Sequence, residues 1–443
     1  MPSMLTALRS KLLLLIKHQG FLRYATNTFW MVAEQMLRIV AGILVGIWVA
    51  RYLGPVQFGL FSYVLAFTAI FGGIAKLGLD GILIRELVKQ PDLQDTYLGT
   101  AFWLKVIGAF GVLLLIAIIV PFTSNDTTTN IYIFIIASGL LFQSFEVVEF
   151  YFQSKVLAKI ISICKVSQLI LSSIIKIYLV LTHAELIWFV SVTVFDAFSL
   201  AVSYFVAYKI KGNVNFIKYF DSRAAKKLLK DSWPLVFSSL VITIYMRIDQ
   251  IMIKEMLDDY DVGIYSAAVR LSEAVYFIPM FITASVFPAI INAKNTNNEL
   301  YYQRLYRLYT FLVWLAIFIA LLVSFLGERL ITLLYGEAYL AAGQVLIIHV
   351  WAAVFVFLGV ASSKYLLAEN LTKILFQRSF FGAITNVLLN FLLIPRYGVV
   401  GAAAATLVAQ FIVNYLYDAF DYRLHKQFLL KNKSIFLPLK VFK

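Results

Sequence analysis

Residues 98–153 read LGTAFWLKVIGAFGVLLLIAIIVPFTSNDTTTNIYIFIIASGLLFQSFEVVEFYFQ. Two apolar runs, 98–122 and 131–153, flank the polar loop 123–130. A helix rises about 1.5 Å per residue, so about 20 apolar residues cross the roughly 30 Å hydrocarbon core of a bilayer. Each run is long enough. Backbone inside lipid has no water to bond to and must satisfy itself, so each run is read as a helix.

Outward from this pair the pattern repeats almost without pause. Spans are read at 27–50, 58–78, 98–122, 131–153, 160–182 and 186–208, then at 233–254, 262–291, 305–334, 340–367, 371–394 and 398–420. The expected fold class is therefore an all-α membrane protein of twelve transmembrane helices. The eighth and ninth spans exceed what a bilayer needs, so they tilt or project into water. The eighth contains Pro279 and Pro288, which predicts a kink.

Composition agrees. Of 443 residues, 61% are hydrophobic and 14% charged, against about half and about 25% in soluble chains. The net charge of +14 raises nucleic acid as a partner, but the charges cluster between apolar runs and argue against it. The single cysteine, Cys164, excludes an intrachain disulfide and reads as a packing residue. His18, His183, His349 and His425 have no metal-ligand spacing, so neither a metal nor a cofactor is expected. The first apolar stretch, Leu12 to Ile16, is shorter than the roughly 7–15 residues of a signal-peptide core. Residues 1–26 read instead as a basic, partly amphipathic segment on the inner surface.

Lysine and arginine mark the cytoplasmic side of a membrane protein. With the N-terminus inside, the cytoplasmic segments hold 28 of the 38 Lys and Arg residues. The outer loops hold four: Arg51, Lys254, Arg329 and Arg396. That bias places both termini in the cytoplasm. The long basic segment 209–231 splits the spans six and six. The expected organisation is an N-terminal lobe at 1–208, a cytoplasmic linker at 209–231 and a C-terminal lobe with a basic tail at 232–443. A weak internal repeat is visible. Phe58-Gly59-Leu60 opens the second span and Val262-Gly263-Ile264 the eighth, each after a span with a central arginine, Arg38 and Arg247. Both halves start inside, so the repeat is parallel, which suits two lobes rocking around a central cavity.

Ionisable residues far from either interface carry most of the functional signal. A charge at a helix centre costs about 2.5–3.5 kcal/mol on insertion scales, so it faces protein or water. Lys105 and Lys165 lie near the cytoplasmic face and can snorkel. Arg38, Lys176, Arg247 and Arg270 lie deeper, as do Glu34, Glu146, Glu149, Asp196, Asp249 and Glu273. Glu34 and Arg38, Arg270 and Glu273, and Glu146 and Glu149 have the spacings of neighbours on one helix face. Such pairs can simply neutralise one another. Ten deep groups are more readily understood lining a wet cavity. There Arg38, Lys176, Arg247 and Arg270 suit a pyrophosphate, and the carboxylates suit a coupling ion. No P-loop, HExxH, CxxC or nucleophile elbow occurs, and the outer loops are short, so an enzyme is not expected.

Several strings carry a family resemblance. They are VARYLGPVQFGLFSY at 49–63, LGLDGILIREL at 77–87, RIDQIMI at 247–253, VGIYSAAVRLSE at 262–273, LLYGEAY at 333–339 and NVLLNFLLIPRYGVVGAAAAT at 386–406. In this order the chain resembles the polysaccharide exporters of the multidrug/oligosaccharidyl-lipid/polysaccharide superfamily, the Wzx-type O-antigen flippases. The resemblance implies two six-helix lobes around a cationic cavity. The implied cargo is an undecaprenyl-pyrophosphate-linked oligosaccharide, moved across the bacterial plasma membrane with ion coupling, by protons. A polysaccharide polymerase and a chain-length regulator are the implied protein partners. The family's motif charges fall at Asp80, Arg85, Arg247, Asp249, Arg270 and Glu273. Asp80 and Arg85 read equally as capping and orienting the loop after the second span. Asp249, two residues from Arg247, needs a partner on another helix. The alternative function is an ion-coupled drug or small-cation exporter of the same architecture, which would want a carboxylate-dominated cavity.

Overall fold

The structure, a computed structural model, describes residues 19–212 and 215–436, without the side chains of residues 19–25 and 372. Residues 1–18 of the expected surface segment, and the tail lysines Lys440 and Lys443, lie outside the described residues. Every regular element among the described residues is helical. The first half contains α1 Gln19–Ala75, α2 Asp80–Lys89, α3 Gln94–Ile119, α4 Thr127–Phe142, α5 Glu146–Ser154, α6 Ala158–Leu181 and α7 Leu186–Ile210. The second half contains α8 Ser222–Met256, α9 Asp259–Glu273, α10 Phe277–Thr296, α11 Asn298–Tyr335, α12 Ala342–His349, α13 Ala352–Ala368 and α14 Thr372–Phe411. A π-turn at Ile412–Leu416 leads into α15 Tyr417–Phe420 and then α16 His425–Phe436.

Among the described residues, ten stretches are long and apolar enough to cross a membrane, where the sequence reading has twelve spans. The difference lies in two long stretches, Thr26–Lys89 and Lys373–Phe420, of 64 and 48 residues. Each runs well beyond a bilayer at 1.5 Å per residue. Each also contains a glycine with left-handed φ beside or near a proline: Gly54 (φ 70°) before Pro55, and Gly398 (φ 57°) after Pro395. A side chain is disfavoured there. The first break falls in the expected loop 51–57, and the second at the first residue of the expected twelfth span, just after the loop 395–397.

The eighth span breaks at a single 3₁₀ turn, Ala274–Tyr276. Pro279 explains the position, because its ring clashes with the carbonyl four residues back, at Val275. Pro288 lies inside α10 without interrupting it, so one of the two prolines makes the expected kink.

Contacts gather the chain into two units. One takes residues up to Val45 together with Phe71–Phe237; the other takes Gly46–Ile70 together with residues from Ser238 onward. The first unit has an aromatic core in which Phe102, Phe152, Tyr204, Tyr208 and Phe216 are buried. Gly99 lets the turn at 216–219 lie directly on α3, since a Cβ there would overlap the Phe216 and Tyr219 carbonyls. Arg85 on α2 pairs with Glu86 and with Asp231 on α8, and Lys227 also pairs with Glu86.

In the second unit the two glycines of the internal repeat meet. A Cβ on Gly59 would overlap the Asp259 carbonyl oxygen, and one on Gly263 would overlap the Pro55 carbonyl. The crossing is closed by backbone against backbone, which no side chain can relieve by changing rotamer. Gly59→Val is expected to lower stability by about 1–3 kcal/mol, the usual cost of overpacking. Thermal unfolding in detergent would show it as a lower midpoint. Gly111→Ala, whose added carbon meets nothing within 4 Å, should leave the midpoint unchanged.

Candidate functional site

The deep basic residues separate into two groups. Arg38 is paired within its own helix, its Nε 2.8 Å from Glu34 Oε1. Lys176 Nζ donates to Asp196 Oδ2 at 3.0 Å, and Ser172 bonds the same oxygen at 2.9 Å. Glu146 receives Lys105 at 3.0 Å, with Lys76 at 3.9 Å. Asp80 Oδ1 lies 3.6 Å from the same lysine. Glu149 accepts from Lys165 at 2.6 Å, from Tyr204 at 2.7 Å and from Gln153 at 3.0 Å. Glu146 and Glu149, neighbours on the helix, thus serve separate lysines. Lys105 is buried at 3% exposure rather than snorkelling to an interface. These groups neutralise one another inside the first unit.

Arg247 and Arg270 are different. Together with Glu273, Gln250 and Ser62 they line one cavity of about 300 Å³ in the second unit. Among the described residues no carboxylate lies within ion-pair distance of either guanidinium. One acid faces two arginines, so the cavity has an excess of positive charge. Arg270 is exposed within it, although it stands in a stretch, Asp259–Thr296, long and apolar enough to cross a bilayer.

Local sequence positions both side chains. Arg247 and Gln250, three apart on α8, share a face, as do Arg270 and Glu273 on α9. The Arg270 guanidinium lies 4.8 Å from the ring centroid of Phe58, a cation–π contact of about 0.5–2 kcal/mol. Gly46 leaves the room, because a Cβ there would sit 3.1 Å from Arg270 Nη1. Phe58 is held edge-on to Tyr339, whose hydroxyl donates to the Ala50 carbonyl at 2.6 Å. A buried carboxylate lies on another face of α8. Asp249 accepts from Tyr265 at 2.5 Å, Asn390 at 2.5 Å and Thr406 at 2.6 Å. All three donors are on other helices, as its spacing from Arg247 requires. These partners are neutral hydroxyls or amides, and among the described residues no cation pairs with Asp249. Asn390 also donates to Asn386 Oδ1 at 3.2 Å, and among the described residues Asn390 Oδ1 has no partner.

Sequence reading named Asp249 but not its shell. The signal was available in Asn386 and Asn390, four apart in an apolar run. It also missed Phe58, since cation–π partners leave no pattern in sequence.

Such an arrangement defines a polytopic helical membrane protein with a cationic internal cavity and a separate buried carboxylate, which is the equipment of a transporter. The polysaccharide biosynthesis protein family model matches residues 24–294, and the chain belongs to that family. The MatE family model matches residues 234–392. The capsular polysaccharide biosynthesis protein CapF of Staphylococcus aureus is 23% identical over 404 residues, covering 88% of this chain and 98% of the relative. A relative named "Probable flippase AglR", from Haloferax volcanii, is 26% identical over 381 residues, covering 83% and 77%. Among solved structures, the lipid II flippase MurJ in an inward closed conformation aligns at TM-score 0.70 and 17% identity, covering 94% of this chain and 92% of that one. An inward-facing multidrug-resistance MATE transporter also aligns at 0.70, with 14% identity and 94% and 99% coverage. At these identities the structures establish a shared fold.

Proposed function

We propose that this chain is a flippase that carries polyprenyl-diphosphate-linked oligosaccharide across a membrane for polysaccharide biosynthesis. The observation that carries this reading is the pair of unpaired guanidiniums, Arg247 and Arg270, facing one internal cavity. Arginine grips phosphate oxygens through two parallel N–H donors. An anionic head group would supply the negative charge that the cavity lacks. The family match and the names of the relatives support the same cargo class, and a carrier rather than an enzyme.

The two long broken stretches each cross twice, making twelve crossings. The lobes comprise residues 1–208 and 232–443, joined by the basic linker 209–231. Both termini face the cytoplasm of a bacterium, the membrane is its plasma membrane and the lipid is undecaprenyl diphosphate. Polymerase and chain-length regulator act on the delivered unit. Arg38 and Lys176, bound to their acids, serve the bundle before they serve the cargo. Asp80 and Arg85 orient the segment after the second span. Asp249 is the coupling site, because a buried carboxylate held only by neutral groups changes its interactions when it takes up a cation. The ion assigned to it is the proton.

Deleting the chain from its host should abolish surface polysaccharide and trap the lipid-linked unit on the inner leaflet. Normal polysaccharide with raised drug susceptibility would instead favour a drug or cation exporter. Asp249→Asn is expected to keep cargo binding while removing the response of transport to an imposed pH gradient in proteoliposomes. An unchanged gradient response would end the coupling assignment.

A further inference from the structure

A second cavity in the second unit, of about 280 Å³, contains polar groups that the mechanism above does not use. Its polar wall includes Tyr245, Tyr276, Arg378, Gln410 and Asn414. It lies close along the chain to the arginine cavity. Tyr245 precedes Arg247 by two residues, and Tyr276 follows Glu273 by three.

Among the described residues three groups in this wall lack partners, the Tyr276 hydroxyl among them. The Tyr245 hydroxyl has none, and neither does Arg378 Nε. Arg378 is only 3% exposed and held from behind, with Nη1 on Ser362 Oγ at 2.7 Å and Nη2 on Asp418. Its third donor direction is therefore fixed and unused. Buried donors are nearly always satisfied in native proteins, so an unpartnered one on a residue that lines a cavity points to a ligand. Room for these groups is built into the backbone. A Cβ on Gly359 would overlap Asn414 Oδ1, and one on Gly382 would strike Val413 and come within 3.4 Å of the Tyr245 ring. Asn414 donates to Gln410 Oε1 at 2.7 Å, which ties the two amides together.

The charge of Arg378 is matched by Asp418, so this wall differs from the arginine cavity. It offers hydroxyl, amide and one N–H group beside two tyrosine rings and an aliphatic lining. A pyranose ring has the complementary chemistry, with hydroxyls at its edge and C–H faces that lie on aromatic rings. The volume lies just below the range of whole-ligand sites, about 300–1,000 Å³, and suits one sugar ring. A hydrocarbon chain would leave the open donors unsatisfied.

We propose that this cavity is a glycan subsite, taking one uncharged sugar of the cargo while its diphosphate lies at Arg247 and Arg270. The assignment rests on the flippase reading. The test uses the full chain in nanodiscs with two probes. One is the lipid-linked oligosaccharide extracted from a strain lacking the chain, and the other is undecaprenyl diphosphate without sugar. The wild-type chain should bind the sugar-bearing probe more tightly. Tyr245→Phe and Arg378→Gln should each weaken that binding about tenfold, the effect of losing one hydrogen bond to a polar ligand, and leave the sugar-free probe unaffected. Tyr245→Phe disturbs no ion pair and keeps the test open if Arg378→Gln fails to fold. Equal changes for both probes, or none for either, would overturn the subsite alone. A wild-type chain that binds neither probe would overturn the flippase reading and the subsite with it.

Discussion

Arg270→Ala is expected to abolish translocation while leaving the chain's abundance in the membrane unchanged. The side chain is exposed to its cavity, and among the described residues it has no carboxylate partner. Removing it orphans no acid, so the usual cost of breaking a buried ion pair does not arise. What is lost is head-group capture. A hydrogen bond to a charged group contributes about 1.5–3 kcal/mol, and a bidentate pair makes two of them, so affinity should fall about a hundredfold or more. Arg270→Lys retains a point charge but not the fork, and should restore only part of the activity. Arg247→Ala should behave like Arg270→Ala. Surface polysaccharide and membrane abundance, measured in the same cells, separate lost transport from lost protein. Normal polysaccharide in both alanine variants would refute capture by these arginines.

Asp418→Ala should act on folding instead. Arg378, Asp418 and Lys431 form a network in which none is more than 3% exposed. Arg378 pairs with one carboxylate oxygen, and Lys431 lies 2.8 Å from the other. Lys431 also donates to the Asn414 carbonyl at 2.5 Å, inside the π-turn Ile412–Leu416. Through Lys431, Gln427 and Ser434, all buried, α16 is fixed to the second unit. Removing Asp418 leaves two buried cations without their acid, a loss of about 3–5 kcal/mol from a typical total of about 5–15. The unfolding midpoint should fall steeply, and α16 should become a site of proteolysis. Burial holds the Lys431 ammonium down at about 8, against an ordinary 10.5. Between those pH values the unfolded lysine keeps a proton that the folded one has released. The Lys431 contribution to stability therefore rises with pH through that window, and below it the full cost of burying the charge is borne. Lys431→Met should flatten this dependence.

The helical class and the family were legible in the sequence because lipid imposes long apolar runs and concentrates basic residues in the intervening loops. The deep charges were legible one at a time, since each interrupts an apolar run. Their pairing was not. Arg38 and Arg247 occupy comparable places in comparable spans, yet one has Glu34 a single turn away and the other faces open space. Glu146 and Glu149 look like a pair and belong to different lysines. Long-range partners such as Asn390 and Thr406 for Asp249, or Asp418 for Arg378, depend on how distant helices pack, and local spacing does not encode that. The Gly59 and Gly263 crossing was half visible. Both strings stood out as a repeat, but only the fold shows the two glycines against each other.

The most direct test of the account is equilibrium binding of undecaprenyl diphosphate to the wild-type chain and to the Arg247→Ala/Arg270→Ala double variant, each folded in nanodiscs. The account predicts saturable, salt-sensitive binding by the wild type and a loss of at least about a hundredfold in the double variant. Equal affinity in the two proteins would contradict it.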